Sequence, residues 1–327
     1  MTAMGRLRQL TAGLVDRVLE TSIVGSFTRL GFVARRQLET WGPDADATGQ
    51  VIVITGATSG LGLAAARRWT ASGATVEVVV RDADKARALA DSLGVGVTLG
   101  DVGDLDDMTR VAEALRARHG RIDALVHNAG ALDLGYTTTR QGNERTLATH
   151  VLGPLRLTAG LLPSLGRGAR VIWVSSGGMY AEPLDVDRLE MAAGDYDGMR
   201  AYARAKRAQV TLAELLAERL SGRQVAVHAM HPGWADTPGV ARSLPRFRAW
   251  IGRALRTSDE GADTFVWLAT APGEALGTGR FWLDRHPRTT HLRRTTRRAD
   301  TPDARSRLWR WVTARAGLSP DWPDTPA

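Results

Sequence analysis

A tyrosine and a lysine four residues apart, in YARAK (202–206), form the most chemically telling pair in this 327-residue chain. On a helix, positions i and i+4 project from one face, so Tyr202 and Lys206 share a surface. A phenol titrates near about 10 and is a poor acid–base group at neutral pH. A cation one helical turn away favours the phenolate and lowers that value. Tyr202 can then pass a proton to or from a substrate oxygen. Upstream, RVIWVSS (170–176) ends a strand-like run on Ser175 and Ser176, and a Ser176 hydroxyl can hydrogen-bond the same oxygen. Tyr-x-x-x-Lys alone is common on ordinary amphipathic helices. Composition sharpens it: of 43 basic residues only Lys85 and Lys206 are lysine. A compact ammonium stands where this chemistry needs one, and the planar head of arginine would replace it poorly. Lys85 reads as surface.

These groups need a second reactant, and the sequence offers a place for one. VIVIT (51–55) runs into TGATSGLG (55–62) and then a helical pattern. Gly56 permits a tight turn, Gly60 lets a pyrophosphate approach the backbone, and Gly62 allows close helix–strand packing. The helix N-terminus then faces the anion with free N–H groups. At the next strand end, in VVVRD (78–82), Arg81 stands where a ribose-binding acid or a phosphate-binding arginine would be. A guanidinium grips a 2′-phosphate bidentately, so NADP(H) is favoured over NAD(H), although Asp82 beside it weakens the preference. Asp101, in GDV (100–102), can hydrogen-bond an adenine amino group. In HNAG (127–130), Asn128 can brace neighbouring strands and Gly130 leaves room beside a cofactor. HPGWADTPG (231–239) ends the sixth strand; Pro232 and Gly233 turn the chain under a nicotinamide, and Thr237 can reach its carboxamide or a phosphate. Beyond lies an apolar series, Trp234, Val240, Leu244, Phe247, Trp250, Ile251 and Leu255. It reads equally as a lid over a hydrophobic substrate or as a packed surface helix.

The elements that must position these residues alternate. Strands are expected at 51–55, 75–80, 95–100, 124–128, 170–175, 225–230 and 279–284. They are apolar throughout, as parallel strands covered on both faces are. Amphipathic stretches such as 61–73, 108–120 and 202–220 supply crossovers. The fold class expected is α/β, a doubly wound parallel sheet of about seven strands with helical extensions at both ends. The organisation expected is a helical extension and linker over 1–49, one dinucleotide-binding domain over 50–285, and a basic tail with a helix over 286–327. Gly25 and Gly31 suggest that the first extension is one broken helix or two short ones.

The absence of cysteine excludes disulfides, thiolate metal sites and cysteine nucleophiles. No histidine–carboxylate pattern suggests a metal. No apolar run approaches the ~20 residues of a membrane span, and no secretory segment is evident, so a cytoplasmic protein is expected. The net charge of +8 sits at the ends. Residues 1–41 carry six Arg against three acids, residues 284–327 ten Arg against five, and the middle is neutral. Solvated tails are the plainest explanation. Peripheral membrane contact through the N-terminal helix and basic tail is the sharper one, pairing of subunits is an alternative, and no nucleic-acid partner is expected.

Taken in order and spacing, these motifs over residues 50–285 resemble the short-chain dehydrogenase/reductase superfamily, its compact branch. SSGGM (175–179), YARAKRAQV (202–210), MHPGWADTPGV (230–240) and TGRFWLDRHPRTTHL (278–292) carry a narrower likeness into the tail. The resemblance implies a Rossmann-type oxidoreductase moving a hydride between NADP(H), or NAD(H), and a carbonyl/alcohol substrate. It implies Tyr202 as general acid/base, with Lys206 lowering its pKa and binding the nicotinamide ribose, and Ser176 polarising the substrate oxygen. Cofactor contacts implied are Gly56, Ser59, Gly60, Leu61, Gly62, Arg81, Asp101, Val102, Asn128, Ala129, Gly130, Tyr202, Lys206, Pro232, Gly233 and Thr237. The chain departs from the family in HVLGP (150–154), where His150 replaces the usual asparagine that holds a helix kink and anchors a proton-relay water. His150 can still bind that water, or it can mark a weakened enzyme, the alternative being a cofactor-binding regulatory protein with little turnover. The long Ser176–Tyr202 interval is similar to that of retinol-dehydrogenase-like members, which act on lipids.

Overall fold

The computed structural model describes residues 3–272 and 276–323. Eight strands form one sheet in the order β3-β2-β1-β4-β5-β6-β7-β8. They are β1 (Val51–Thr55), β2 (Thr75–Val80), β3 (Gly96–Leu99), β4 (Ile122–His127), β5 (Leu165–Val174), β6 (Ala226–Met230), β7 (Arg280–Leu283) and β8 (His286–Arg288). β1 to β7 are mutually parallel, and only β8 runs antiparallel to its neighbour. The central strands are buried almost end to end, which is why their sequences do not alternate.

The helices are α1 (Ala3–Glu20), α2 (Ile23–Phe27), α3 (Arg29–Glu39), α4 (Gly60–Ala71), α5 (Ala83–Leu93), α6 (Leu105–Arg118), α7 (Arg145–Leu147) and α8 (Gly153–Leu161). After β5 come α9 (Gly198–Arg219), α10 (Pro238–Ser243), α11 (Pro245–Ile251), α12 (Ser258–Thr270), α13 (Arg294–Ala299) and α14 (Pro302–Arg315). One core packs α4, α5 and α12 on the sheet through Trp69, Leu89 and Phe265. The other packs α6, α8 and α9 through Leu115, Leu157 and Leu212. β1 pairs with β2 on one side and β4 on the other. Chain order therefore reverses between β1 and β4, and a doubly wound sheet opens its ligand crevice at the carboxyl ends there.

Two expectations need correcting, and the sheet of about seven strands gains one more at its edge. The N-terminal extension is three helices, and α1 packs on α3. The sheet has an eighth strand, because Asp284 and Arg285 both adopt left-handed backbone (φ 53° and 60°) and make a tight hairpin without glycine. Nor are the two basic ends free tails, although Arg17, Arg36, Arg293, Arg294, Arg297 and Arg298 among others stay exposed. Arg35 is 1% exposed; Arg288 pairs with Asp16 at 2.7 Å, and Arg305 with Asp300 and Glu214. Leu308, Trp309 and Val312 of α14 and Phe27 of α2 join the main core. The outer side of α1–α3 leaves Leu14, Val18, Ile23, Val24 and Leu30 exposed. Among the described residues no helix is long and apolar enough to cross a membrane.

Candidate active site

The glycine-rich turn between β1 and α4 is shaped by what lies against it. Gly56 has φ +73° and Gly60 φ +57°. A methyl on Gly62 would sit 2.3 Å from Gly56 O and 2.6 Å from Asn128 Nδ2. The turn is braced from β4: Asn128 Nδ2 donates to Thr55 O (3.0 Å) and Gly56 O (2.9 Å), and the N–H groups of Asn128 and Ala129 donate to Thr55 Oγ1. Thr55 was not singled out from the sequence, where it reads as the last β-branched residue of a strand. Ser59 is the N-cap of α4 without a side-chain cap bond, so its hydroxyl is uncommitted at the helix N-terminus beside Leu61. Thr237, the N-cap of α10, packs over this turn, its Cβ 3.4 Å from where a Gly60 Cβ would be. Glycine cradle, unspent helix N-terminus and covering threonine fit a dinucleotide pyrophosphate. Gly62→Ala is expected to cost about 1–3 kcal/mol, because the obstructing atoms are backbone and braced amide. A lowered denaturant midpoint checks this.

The flanking strand ends are placed as the motifs suggest. Arg81 is exposed just past β2. Asp82 is turned away from it, capping α5 through the Lys85 N–H (3.0 Å) and pairing with the Lys85 ammonium. Lys85 is surface, as read from the sequence. Asp101 accepts from the Gly103 N–H (2.9 Å) and from Arg145 (2.7 Å), and Val102 is buried beside it.

The reactive group assembles from β5 and α9. Ser175 Oγ donates to Lys206 O at 3.0 Å, so the first serine anchors the helix to the strand. Ser176 Oγ accepts the Gly178 N–H at 3.2 Å, and the Ser176 hydroxyl favours the ionised form of the neighbouring Tyr202 phenol. Lys206 is 4% exposed, donates from Nζ to Val174 O at 2.9 Å, and lies 5.4 Å from the Tyr202 ring centroid. Burial dominates the electrostatics. It lowers the Lys206 ammonium to about 7, and it pushes the Tyr202 phenol up against the lowering pull of Ser176.

His150 sits in a π-helical turn, Ala148–Leu152, between α7 and α8. The turn's extra residue leaves the His150 carbonyl to a side chain: Gln209 Nε2 donates to it at 2.7 Å. The imidazole is 1% exposed, and its Nε2 is 2.8 Å from Ala131 O. A carbonyl only accepts, so Nε2 carries the proton and Nδ1 is a bare acceptor, buried and unpartnered. Burial, then the charge of Lys206, hold the ring well below its ordinary pKa, so it is neutral at pH 7. It stands edge-on to Tyr202 with centroids 5.3 Å apart. Gly130 makes room for it, since a methyl there would meet His150 Cε1 at 2.4 Å.

The loop after β6 forms the remaining wall. His231 Nδ1 accepts the Gly233 N–H at 3.1 Å, and burial holds this ring neutral with a pKa of about 3. Trp234 packs edge-on against Phe247 of α11 (5.1 Å). Ser243 at the end of α10 donates to Leu132 O after β4 (2.8 Å), closing α10 onto the opposite wall. The apolar series thus divides: Leu255 is buried, Trp234 and Phe247 pack together, and Trp250 is 76% exposed. A cavity of about 730 Å³ between Tyr136, Glu190, Met191 and α14 contains none of these residues.

Known proteins are similar to this chain in sequence and fold. Residues 50–246 match the model of the short chain dehydrogenase family. Human dehydrogenase/reductase SDR family member 12 is 38% identical over 256 residues, 75% of this chain and 79% of that protein. Bovine retinol dehydrogenase 12 is 33% identical over 254 residues, 74% and 79% of the two chains. The crystal structure of an uncharacterized Mycobacterium paratuberculosis protein superposes with a TM-score of 0.70 at 28% identity, over 84% of this chain and 96% of that one. With a family match over more than half its length and the serine, tyrosine and lysine brought to one crevice, the chain belongs to the short-chain dehydrogenase/reductase family of NAD(P)-binding oxidoreductases.

Proposed function

We propose that the protein reduces an apolar ketone or aldehyde with NADPH, or catalyses the reverse oxidation. A bound nicotinamide dinucleotide supplies or takes up the hydride. The glycine turn, Ser59 and the N-terminus of α4 would hold its pyrophosphate, Asp101 its adenine, and Asn128–Gly130 with Pro232–Thr237 its nicotinamide end. The observation that carries this reading is the convergence of Ser176, Tyr202 and Lys206 at the carboxyl ends of β5 and β6. Ser176 polarises the substrate oxygen, and Tyr202 exchanges a proton with it at the phenol oxygen. Among the described residues Lys206 has a single acceptor, Val174 O, leaving N–H donors for the ribose and for the phenolate. His150 keeps a neutral acceptor, Nδ1, beside this pair and can hold a bridging water by accepting its hydrogen bond. The apolar walls Trp234 and Phe247, and the likeness to a protein named for retinol, support an apolar substrate.

A stereo-resolved screen of ketones, aldehydes and retinoids with NADPH and NADH in parallel tests this. Dinucleotide binding with no turnover across the panel, and no change on Tyr202→Phe, would overturn it in favour of a regulatory protein. Cofactor choice has its own test. Arg81 is exposed with Asp82 committed elsewhere, so Arg81→Ala is expected to raise the KM for NADPH roughly 10-fold and leave that for NADH within about twofold. Equal effects on both cofactors would remove the 2′-phosphate role.

A further inference from the structure

The loop after β6 is built around residues far outside the matched family region. Trp234 N–H donates to Phe27 O at 2.7 Å. The Arg256 guanidinium donates to Ser26 O (2.9 Å), Phe27 O (3.1 Å) and Thr28 O (3.3 Å), and across to Pro232 O (3.4 Å). It also makes a bidentate pair with Asp284, and Asp284 bridges to Arg35 at 2.6 Å. Asp284 is 0% exposed and both arginines 1%. Burial pushes the Asp284 carboxyl up, but the Arg256 and Arg35 guanidiniums outweigh it and hold the group ionised.

The geometry is directed at the reactive loops. Gly233 has φ +70°, and a methyl there would lie 2.3 Å from Arg256 Nε and 2.7 Å from Phe27 O. Its left-handed turn is therefore moulded on the clamp. The Phe27 ring sits edge-on to His231 (centroids 4.3 Å) and to Trp234 (5.9 Å). The same ring lies against Gly177, directly after Ser176, where a methyl would meet it at 2.5 Å. One phenylalanine touches both the loop bearing Ser176 and the loop bearing Pro232 and Gly233. A buried ion cluster is a poor source of net stability compared with apolar packing. What this one supplies is geometry, since most of its hydrogen bonds outside the ion pairs end on backbone carbonyls of 26–28 or 232.

We infer that the segment Ser22–Arg35 is a positioning element of the active site, in which Phe27 and the Arg35–Asp284–Arg256 cluster hold the 176–178 and 231–234 loops in register for hydride transfer. The inference rests on reading the 232–237 loop as the nicotinamide wall. It makes the N-terminal helices part of the catalytic unit.

Amide hydrogen exchange on the full-length protein tests it, with Phe27→Leu, Phe27→Ala and Asp284→Asn compared with the parent chain. NADPH affinity by dihydronicotinamide fluorescence, kcat and KM are measured alongside. Expected is faster exchange in 175–181 and 231–237 with β1 and β4 unchanged, and a turnover loss of roughly 10- to 100-fold for Phe27→Ala. Phe27→Leu, which refills most of the volume, is expected to recover part of both. Unchanged exchange in the two loops would overturn the inference. So would an increase spread evenly over the sheet, or looser loops with unaltered affinity and turnover. Asp284→Asn leaves the buried Arg256 guanidinium without a carboxylate, while Arg35 keeps Asp16 and Glu20. It can unfold the chain, in which case the two Phe27 variants decide. A parent chain that binds neither NADPH nor NADH would refute the proposed function, while the exchange arm would still report on the clamp.

Discussion

Tyr202→Phe is expected to lower kcat by about 10²- to 10⁴-fold, the range that a positioned general acid contributes, while NADPH affinity stays within about twofold. The ring is retained, so its edge contact with His150 and its place beside Lys206 survive. Only the hydroxyl, and with it the influence of Ser176 on its ionisation, is removed. The two reaction directions separate the role further. Oxidation needs the phenolate, so kcat/KM should rise as pH rises through the Tyr202 pKa; reduction needs the phenol and should fall over the same interval. Burial places that pKa above the ordinary phenol value in the absence of cofactor. A bound positive charge would bring it down, and the difference between the kcat and kcat/KM profiles measures by how much. A variant with both limbs of the profile intact would remove Tyr202 from the proton-transfer step.

Lys206→Met is expected to do two opposite things: abolish turnover and stabilise the cofactor-free protein near neutral pH. The ammonium is buried, and its pKa is lowered by burial to about 7 from 10.5. Between those values the unfolded chain holds a proton that the folded chain has released. Stability attributable to Lys206 therefore rises with pH from about 7 toward 10.5, and the burden of the buried charge is complete below 7. An unbranched apolar side chain removes that burden at the expense of one hydrogen bond to Val174 O. The net gain is expected to be about 2 kcal/mol at pH 6–7, shrinking toward pH 10, a melting-temperature rise of a few degrees at the lower pH. Thermal melts at several pH values check it. A variant less stable than the parent at pH 6.5 would mean that the ammonium is solvated or paired in a way that offsets its burial. Activity and stability conflict here because the site keeps a charge where the fold alone would not.

The candidate set of Ser176, Tyr202 and Lys206 is legible in the sequence because the motifs are local. Tyr202 and Lys206 lie on one helix, Ser176 ends one strand, and the glycines of 56–62 sit in one turn. The parallel strands announced themselves by runs of apolar residues, and β1 and β2 fall at their expected limits. His150 was visible as an oddity, but the π-turn around it and the Gln209 side chain holding its carbonyl were not, since Gln209 lies 59 residues away and reads as an ordinary helix position.

What the sequence determined by itself is the alternation of elements, the crevice they create and the residue types that reach it. These follow from periodicity and turn chemistry within a dozen residues, whatever the rest of the chain does. What only the tertiary structure decided is the destination of the charges. Sequence could total the arginines at the two ends; it could not pair Arg35 and Arg256 with Asp284, residues 249 and 28 positions away. Nor could it seat Phe27 between the Ser176 and Pro232 loops. A buried charge must find an opposite charge to remain ionised, and which one it finds is set by the geometry of packed helices and strand ends. That is why two termini that read as solvated basic tails are, in the folded protein, fastened to its body, and one of them to the loops that follow β5 and β6.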